Sequence, residues 1–313
     1  MTSDHDRSRG FALGVLGVVI FAMTLPMTRL AVGDASAPQL PPAFVTAGRA
    51  ALAGLLSIAY LRWIGAARPP RELWSALAVC ALGTVVGFPL FLALALRRVD
   101  AMHAAVVTGV LPLGTAMAAA LWLRQRASAG FWLCAAIGCA LVLAFSAYQG
   151  HGALSAADGL LLLAVASASI GYVAGAQASA KLPAEQVICW LLVFSLPLTL
   201  PAMWATWPAH AAAVSASAWG GLAYVTLFSM WLGFFAWYRG LALGGVLRVS
   251  QVQLLQPFLS LLFAVPVLGE RLEASTLLFT LLVIGVVYIG KRMPVQRARI
   301  EDRGLAAARQ TSP

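Results

Sequence analysis

One mostly apolar stretch is long enough to cross a bilayer: Arg248-Val-Ser-Gln-Val-Gln-Leu-Leu-Gln-Pro-Phe-Leu-Ser-Leu-Leu-Phe-Ala-Val-Pro-Val-Leu-Gly-Glu-Arg271. At about 100° per residue in a helix, five polar or helix-breaking residues share one side: Ser250, Gln253, Gln256, Pro257 and Ser260. Amides facing lipid are costly, so this side should face protein or a wet cavity. Two interpretations stay open with equal weight: a helix that lines a substrate cavity, or hydrogen bonds between helices that stabilise a bundle. Because Pro257 has no N–H, the carbonyl of Gln253 is expected to be free for water, a neighbour or a ligand.

The composition is that of an integral membrane protein. Of 313 residues, 61% are apolar and 10% are charged, whereas soluble proteins carry about a quarter charged residues. The net charge of +10 lies largely in short loops and the C-terminal tail, a pattern that serves membrane orientation and does not indicate nucleic acid. The four cysteines lie within apolar runs without the spacing of a metal site or a disulfide framework. We therefore expect the lipid bilayer and a small-molecule substrate as partners, and no cofactor, metal or nucleic acid. The sequence does not predict an oligomeric state.

Ten apolar runs predict an all-α membrane protein with ten transmembrane helices. The runs are 11–31, 43–64, 73–96, 101–123, 129–147, 157–179, 186–205, 218–238, 246–268 and 274–292. They define residues 1–10 as an N-terminal tail, 11–147 and 157–292 as two five-helix halves, and 293–313 as a basic tail.

The distribution of Lys and Arg predicts the orientation. With the N-terminus inside, the inner segments carry 16 Lys and Arg residues and the outer segments carry 4: Arg29, Arg97, Arg98 and Arg271. Positive residues concentrate on the cytoplasmic side of membrane proteins. Both termini are therefore predicted to be cytoplasmic, in a bacterial-type inner membrane.

An internal repeat relates the two halves. At an offset of 145 residues, Trp74 matches Trp219 and Pro112 matches Pro257. Five helices per repeat is an odd number, so the halves would enter the membrane in opposite directions. Inverted repeats of this kind are characteristic of secondary transporters, with the substrate site between the halves.

Three motifs carry a resemblance to a known family. They are Trp237-Tyr-Arg-Gly-Leu-Ala-Leu-Gly244, Gln256-Pro257 and Leu268-Gly-Glu-Arg-Leu272. With them, residues 11–292 resemble the EamA family of the drug/metabolite transporter superfamily. The resemblance implies a ten-helix bundle that exports small metabolites, often amino acids and in some relatives aromatic ones, through a central cavity. The first half departs from the pattern because Arg124-Gln-Arg126 replaces Gly269-Glu-Arg271.

Six residues are candidates for substrate contact: Gln253, Ser250, Gln256, Trp231, Thr108 and Thr115. An amide both donates and accepts, which suits a zwitterion. Trp231 would supply an aromatic wall, whereas Trp237 and Tyr238 fit an interfacial belt better. The two threonines would line the opposite wall, although a threonine in a spanning helix often bonds its own backbone.

Four further features have competing interpretations. Glu270 is read as a cap or ion-pair partner rather than a coupling residue. Arg49 either snorkels to the interface, which we favour slightly, or attracts a substrate carboxylate in a wet cavity. His103 is read as structural, at the start of a helix. Gly171-x-x-x-Gly175 indicates close helix packing.

The most consistent function is secondary transport, as an exporter of small metabolites by alternating access. A non-transporting membrane sensor or partner subunit is the alternative, and an intramembrane enzyme is disfavoured because no catalytic motif lies at useful depth. Because every acidic residue maps to a tail, a loop or the end of an apolar run, we expect movement driven by the substrate gradient rather than by protons or sodium.

The predicted orientation can be tested with single cysteines in a cysteine-free background. Cysteine at Gly152 should react with an impermeant thiol reagent from outside. Cysteine at Ala67 should react only after permeabilisation, because it lies in an inner loop. The reverse labelling would overturn the orientation, and equal external labelling of both would overturn the number of spans.

Overall fold

The computed structural model describes residues 4–122, 126–150, 152–179, 181–244, 249–293 and 295–296. Eight helices in these ranges are long and apolar enough to cross a membrane: α1 (Ser8–Val32), α2 (Pro42–Trp63), α3 (Arg71–Leu96), α4 (Ala101–Trp122), α5 (Ala129–Gln149), α6 (Ala156–Ser179), α7 (Glu185–Ala205) and α8 (Ala216–Leu241). Two shorter apolar helices follow, α9 (Val252–Leu268) and α10 (Ala274–Gly290). The fold is thus all-helical apart from one short strand pair. The described part of each expected run contains a helix, but α9 and α10 are shorter than the eight helices that are long enough to cross a membrane.

Both ends of the chain contain regular structure outside the ten apolar runs. The first helical segment is Asp4–Ala22, so it begins within the N-terminal tail. Near the C-terminus, strand β2 (Val295–Gln296) pairs antiparallel with strand β1 (Arg126–Ala127) between α4 and α5. This pairing places residues 295–296 at the same end of the bundle as the α4–α5 connection. That end, where α2, α4, α6, α8 and α10 finish, is called the terminal end below.

Two helices have matching π-helical segments. In α3 the segment is Ala81–Gly87, between the α-helical pieces Trp74–Cys80 and Phe88–Leu96. In α8 it is Val225–Leu232, between Ala216–Tyr224 and Gly233–Gly244. The two segments lie at nearly the repeat offset, so the halves share a backbone irregularity as well as sequence. Such segments occur frequently at functional sites.

A second matched pair of irregularities lies in α4 and α9. In α4, Ala101–Thr108 is separated from Leu111–Trp122 just before Pro112. In α9, the 3₁₀ segment Ser250–Leu255 leads into Gln256–Leu268 at Pro257. Each proline removes a backbone donor, so the regular ladder is interrupted at equivalent places in the two halves.

The kink in α1 is stabilised by α9. Pro26 has no N–H, which leaves the carbonyl of Ala22 without its helical partner. Ser260 donates its hydroxyl to that carbonyl at 2.8 Å and is itself 1% exposed. Ser260 therefore serves the interhelical bonding that was one of the two interpretations of the polar stripe.

One close crossing of the halves is between α3 and α6, and glycines make it possible. A Cβ at Gly83 would overlap the carbonyl oxygen of Ser167 and lie 2.8 Å from the Cα of Gly171. A Cβ at Gly171 would lie 2.7 Å from Thr84 Cγ2, and one at Gly175 would lie 2.9 Å from Cys80 Sγ. The packing interpretation of Gly171 and Gly175 is confirmed.

Gly83→Ala should destabilise the protein by about 1–3 kcal/mol, because backbone atoms cannot yield to the added methyl group. Gly285→Ala is the matched control, since a Cβ there meets nothing within 4 Å. We expect the midpoint of thermal unfolding in detergent to be lower than that of wild type for Gly83→Ala and not to be lowered for Gly285→Ala. Equal midpoints for both variants would contradict the close crossing.

Candidate functional site

A small cavity lies between the two halves. This central cavity has a volume of about 80 Å³. Its walls come from α1 to α4 of the first half and from α6, α8 and α9 of the second: Phe21, Thr24, Leu25, Arg49, Thr84, Phe88, Pro89, Leu92, Thr108, Leu111, Ala168, Tyr172, Ser229, Phe234, Gln253 and Gln256. The polar lining residues are mostly hydroxyls and amides, with one arginine.

A wider cavity of about 520 Å³ adjoins it and is more aromatic. The two cavities share Phe21, Thr84, Tyr172, Phe234 and Gln253 in their walls. The wider cavity continues along α6 and α8 to Ser179 and Leu241, at the terminal end. A path thus runs from that end to the middle of the bundle, within the size range of ligand pockets.

The candidate residues of α9 and α4 lie at these cavities. Gln253 and Gln256 line the central cavity with Thr108, and Thr115 lines a third cavity of about 150 Å³ together with Gln253. Both threonine hydroxyls donate to their own helix, Thr108 to Ala104 O at 2.7 Å and Thr115 to Leu111 O at 2.9 Å. Each hydroxyl oxygen keeps its acceptor capacity toward the cavity.

The other two candidates are not placed at the cavities. The side chain of Ser250 lies outside the described part of the structure. Trp231 contacts Tyr60 and Phe235, with ring centroids 6.1 and 5.0 Å away, and its indole is absent from the walls of the cavities described. Its backbone belongs to the π segment of α8. Periodicity counted at 100° per residue fails across that segment, which is why its facing could not be read from sequence.

Trp237 and Tyr238 take the place that Trp231 was expected to fill. Both line the wider cavity, although their positions in sequence indicated an interfacial belt. Phe234 packs between Phe21 and Tyr238, with ring centroids 5.0 and 5.6 Å away. The aromatic wall of the site therefore comes from one to two turns further along α8 than the sequence indicated, at Phe234, Trp237 and Tyr238.

The carbonyl of Gln253 is not free as the sequence predicted, but accepts a backbone hydrogen bond. It accepts the N–H of Gln256 in the 3₁₀ turn. The expectation that Pro257 frees this carbonyl is therefore only partly right, because the tighter turn supplies an alternative donor.

Arg49 does not take the interfacial position that the sequence slightly favoured over a place in a cavity. Its side chain does not snorkel: the residue is 3% exposed and lines the central cavity. One terminal nitrogen donates to Ser229 Oγ at 2.9 Å, and that hydroxyl is 2.8 Å from Thr24 Oγ1. The sequence pattern cannot distinguish a buried Arg49 from one that snorkels, because both place an arginine one third of the way along the helix.

The end opposite the terminal end is closed by polar contacts among helix ends. Glu270, beyond α9, accepts the N–H groups of Ala101 at 2.7 Å and Met102 at 2.8 Å, at the N-terminus of α4. Burial raises the pKa of its carboxyl, and these two hydrogen bonds act against the rise. The cap interpretation of Glu270 is confirmed, with α4 as the helix that is capped.

Two arginines at the same end donate hydrogen bonds to backbone carbonyl oxygens at helix ends. Arg97 donates to Val32 O at 3.1 Å and to Leu40 O at 2.9 Å, and Arg29 donates to Leu96 O. These contacts connect the ends of α1 and α3. Hydrogen-bonded helix termini thus occupy this end, and none of their residues lines the central or the wider cavity.

His103 and Asp158 form a buried pair at this closed end. Nε2 of His103 is 2.7 Å from Oδ1 of Asp158, whose other oxygen accepts from the Ser155 hydroxyl at 2.7 Å. Asp158 is 4% exposed, so its position at a helix start does not make it solvent-accessible. In the described residues, no group of three or more His, Cys, Asp or Glu is arranged to hold a metal ion.

Comparison with known proteins gives consistent matches over nearly the whole chain. The model of the EamA-like transporter family matches twice, at residues 8–147 and 155–290. A Bacillus subtilis (strain 168) protein named "Uncharacterized transporter YdeK" is 41% identical over 288 residues, which are 92% of this chain and 99% of that protein. One protein of known crystal structure shares the fold with a TM-score of 0.62, covering 91% of this chain and 99% of the other at 19% identity.

Glu270→Ala should lower stability by about 1–3 kcal/mol, because two N–H groups at the start of α4 lose their acceptor. Glu273→Ala is the control, since that exposed carboxylate accepts from the Ser275 hydroxyl and caps no helix with its side chain. Thermal unfolding of the purified variants should show a lower midpoint for Glu270→Ala alone. A shift of equal size in both would mean that lost charge, rather than the cap, is responsible.

Proposed function

Because the chain belongs to the EamA-like transporter family, we propose that this membrane transporter is a secondary transporter that exports small metabolites such as amino acids, aromatic ones among them. It would work by alternating access through the central cavity, in a ten-span bundle of two inverted halves. The membrane would be a bacterial-type inner membrane, with both termini in the cytoplasm.

The single observation that carries the proposal is the path between the halves. It reaches the terminal end through the wider cavity and stops at the hydrogen-bonded helix ends on the other side. Such a one-sided cavity is what one state of an alternating-access cycle requires. The matched irregularities in α3 and α8, and in α4 and α9, surround it, and discontinuous helices of this kind commonly build the substrate site of secondary transporters. With the predicted orientation, the cavity faces the cytoplasm, where an exporter loads.

The chemistry of the walls favours an amphipathic substrate. Gln253 offers both a donor and an acceptor where the cavities meet, which suits an amino-acid zwitterion. Phe234, Trp237 and Tyr238 offer an apolar surface toward the terminal end. The side chain of the substrate would lie against these rings, which favours aromatic or large apolar amino acids.

Substrate-gradient-driven movement is supported by the cavity walls. Among the described residues that line the central and the wider cavities there is no Asp, Glu or His. The His103–Asp158 pair lies at the closed end and is engaged within the protein. A titrating group that exchanges a proton for substrate would be expected at the substrate site.

Counterflow in proteoliposomes tests the proposal, with a panel of radiolabelled amino acids and neither a pH nor a sodium gradient. Wild-type protein should exchange at least one of them. Gln253→Leu should lose about 1–3 kcal/mol of binding, seen as a raised half-saturation concentration, because it keeps bulk but removes the amide. Gln177→Leu is the matched control, since that amide is exposed on α6.

Three outcomes would change the proposal. Absence of exchange for every compound would favour the alternative of a sensor or partner subunit. Uphill accumulation driven by an imposed proton gradient would overturn gradient-driven export and make His103 and Glu270 the first residues to mutate. Normal exchange by Gln253→Leu would remove Gln253 from the site.

A further inference from the structure

Arg49 presents two donor nitrogens that no described residue uses. Its Nε and one terminal nitrogen have no hydrogen-bond partner among the described residues, while the other terminal nitrogen donates to Ser229. A guanidinium carries five N–H donors in a planar fork. A residue that served only to join α2 to α8 would not need to leave the rest of this fork unpaired in a buried position.

The charge of Arg49 is also unmatched within the described part of the chain. The ion pairs found there are Arg29–Asp100, His103–Asp158 and Lys181–Glu72. Arginine keeps its charge under physiological conditions, and an isolated buried charge is strongly unfavourable. The binding free energy of an anion would therefore be more favourable at Arg49 than at an arginine exposed to water.

The surroundings of Arg49 select the kind of anion. The residue lies in the wall of the central cavity together with Gln253, and the aromatic rings begin at Phe21 and Phe234. Arg49 is the one charged residue among the described walls of this cavity, so a single negative charge balances it. A carboxylate matches the planar fork and can accept two parallel hydrogen bonds from it.

We propose that Arg49 binds the carboxylate of the transported substrate, whose apolar body lies toward Phe234 and the wider cavity. The substrate class is then an aromatic or large apolar monocarboxylate, with the amino-acid zwitterion as the amphipathic case. Gln253 would face the ammonium group when one is present. This assignment rests on the proposed function, because it defines what the transport cavity holds.

Position along α2 fits this role. Arg49 is seven residues from the start of the helix at Pro42, about 10 Å at 1.5 Å per residue. The guanidinium donates to Ser229, which precedes Phe234 along α8, so it lies farther from the terminal end than the aromatic walls. A carboxylate bound there would reach the deepest part of the path, while the apolar body remained against the rings.

Binding is measured first, without transport. The probes are 3-phenylpropionate, 3-phenylpropionamide and phenethylamine, which share the ring and differ in the charge of the head group. Their dissociation constants for the full-length protein in nanodiscs are determined by thermal shift or calorimetry. Wild-type protein should bind the carboxylate about 10–100-fold more tightly than the neutral amide.

Arg49→Gln should remove that preference by weakening carboxylate binding about 10–100-fold while leaving the amide unchanged. Arg49→Lys should keep part of the preference, because it retains the charge but not the fork. Arg239→Gln is the control for net charge, since it removes an exposed arginine on α8 outside the described cavity walls. It should bind all three probes as wild type does.

If Arg49→Gln does not fold, Arg49→Lys still decides, because it keeps the charge but not the planar fork. A carboxylate preference in Arg49→Lys equal to that of wild-type protein would overturn the assignment of the carboxylate to the guanidinium fork.

The same probes distinguish failure of this inference from failure of the proposed function. Equal binding of carboxylate and amide by wild-type protein, with amino-acid counterflow intact, would overturn the role of Arg49 and leave transport standing. Arg49-dependent carboxylate binding without counterflow would overturn the proposed transport and leave the binding site standing.

Discussion

Inside a bilayer, each backbone polar group must find a partner within the protein, because hydrocarbon supplies none. The irregular helices of this bundle depend on that constraint. Where Pro26 releases the carbonyl of Ala22, Ser260 of α9 donates to it. Where Pro257 interrupts α9, a 3₁₀ turn gives the carbonyl of Gln253 a new donor. The bundle can therefore be non-helical in places, but only where a specific neighbour satisfies the released group or where a cavity lies beside it.

The two halves share this architecture but not its chemistry. The repeat offset relates Thr84 of α3 to Ser229 of α8, and both line the central cavity. Thr84 donates to its own helix, at Cys80 O, whereas Ser229 accepts from Arg49. Likewise the amide of Gln253 corresponds to the hydroxyl of Thr108. A symmetric scaffold thus encloses an asymmetric set of polar groups, which can orient a substrate with two different ends.

Closure at one end and an aromatic path at the other have different physical origins. The closed end is made of directional contacts from Glu270, Arg97 and Arg29 to backbone groups at helix ends. Each contact is local, so it can be lost without unfolding the apolar core. The path toward the terminal end is bounded by rings that pack without comparable directional bonds. In the proposed transport cycle, opening of this end would require a small number of hydrogen bonds at helix termini to break.

Composition and periodicity determined that this chain is an all-helical membrane protein with two related halves. Those signals are local, since about 20 apolar residues and a repeated spacing need no knowledge of neighbours. They also identified the polar face of α9, and Gln253 and Gln256 do line the cavity. Tertiary structure alone decided which aromatic residues line the path, because the π segment of α8 shifts the facing of Trp231, Trp237 and Tyr238. It also decided that Arg49 is buried beside Ser229 rather than extended to the interface. The direction of a long side chain depends on what packs around it, and Ser229, which accepts from Arg49, lies 180 residues away in the sequence.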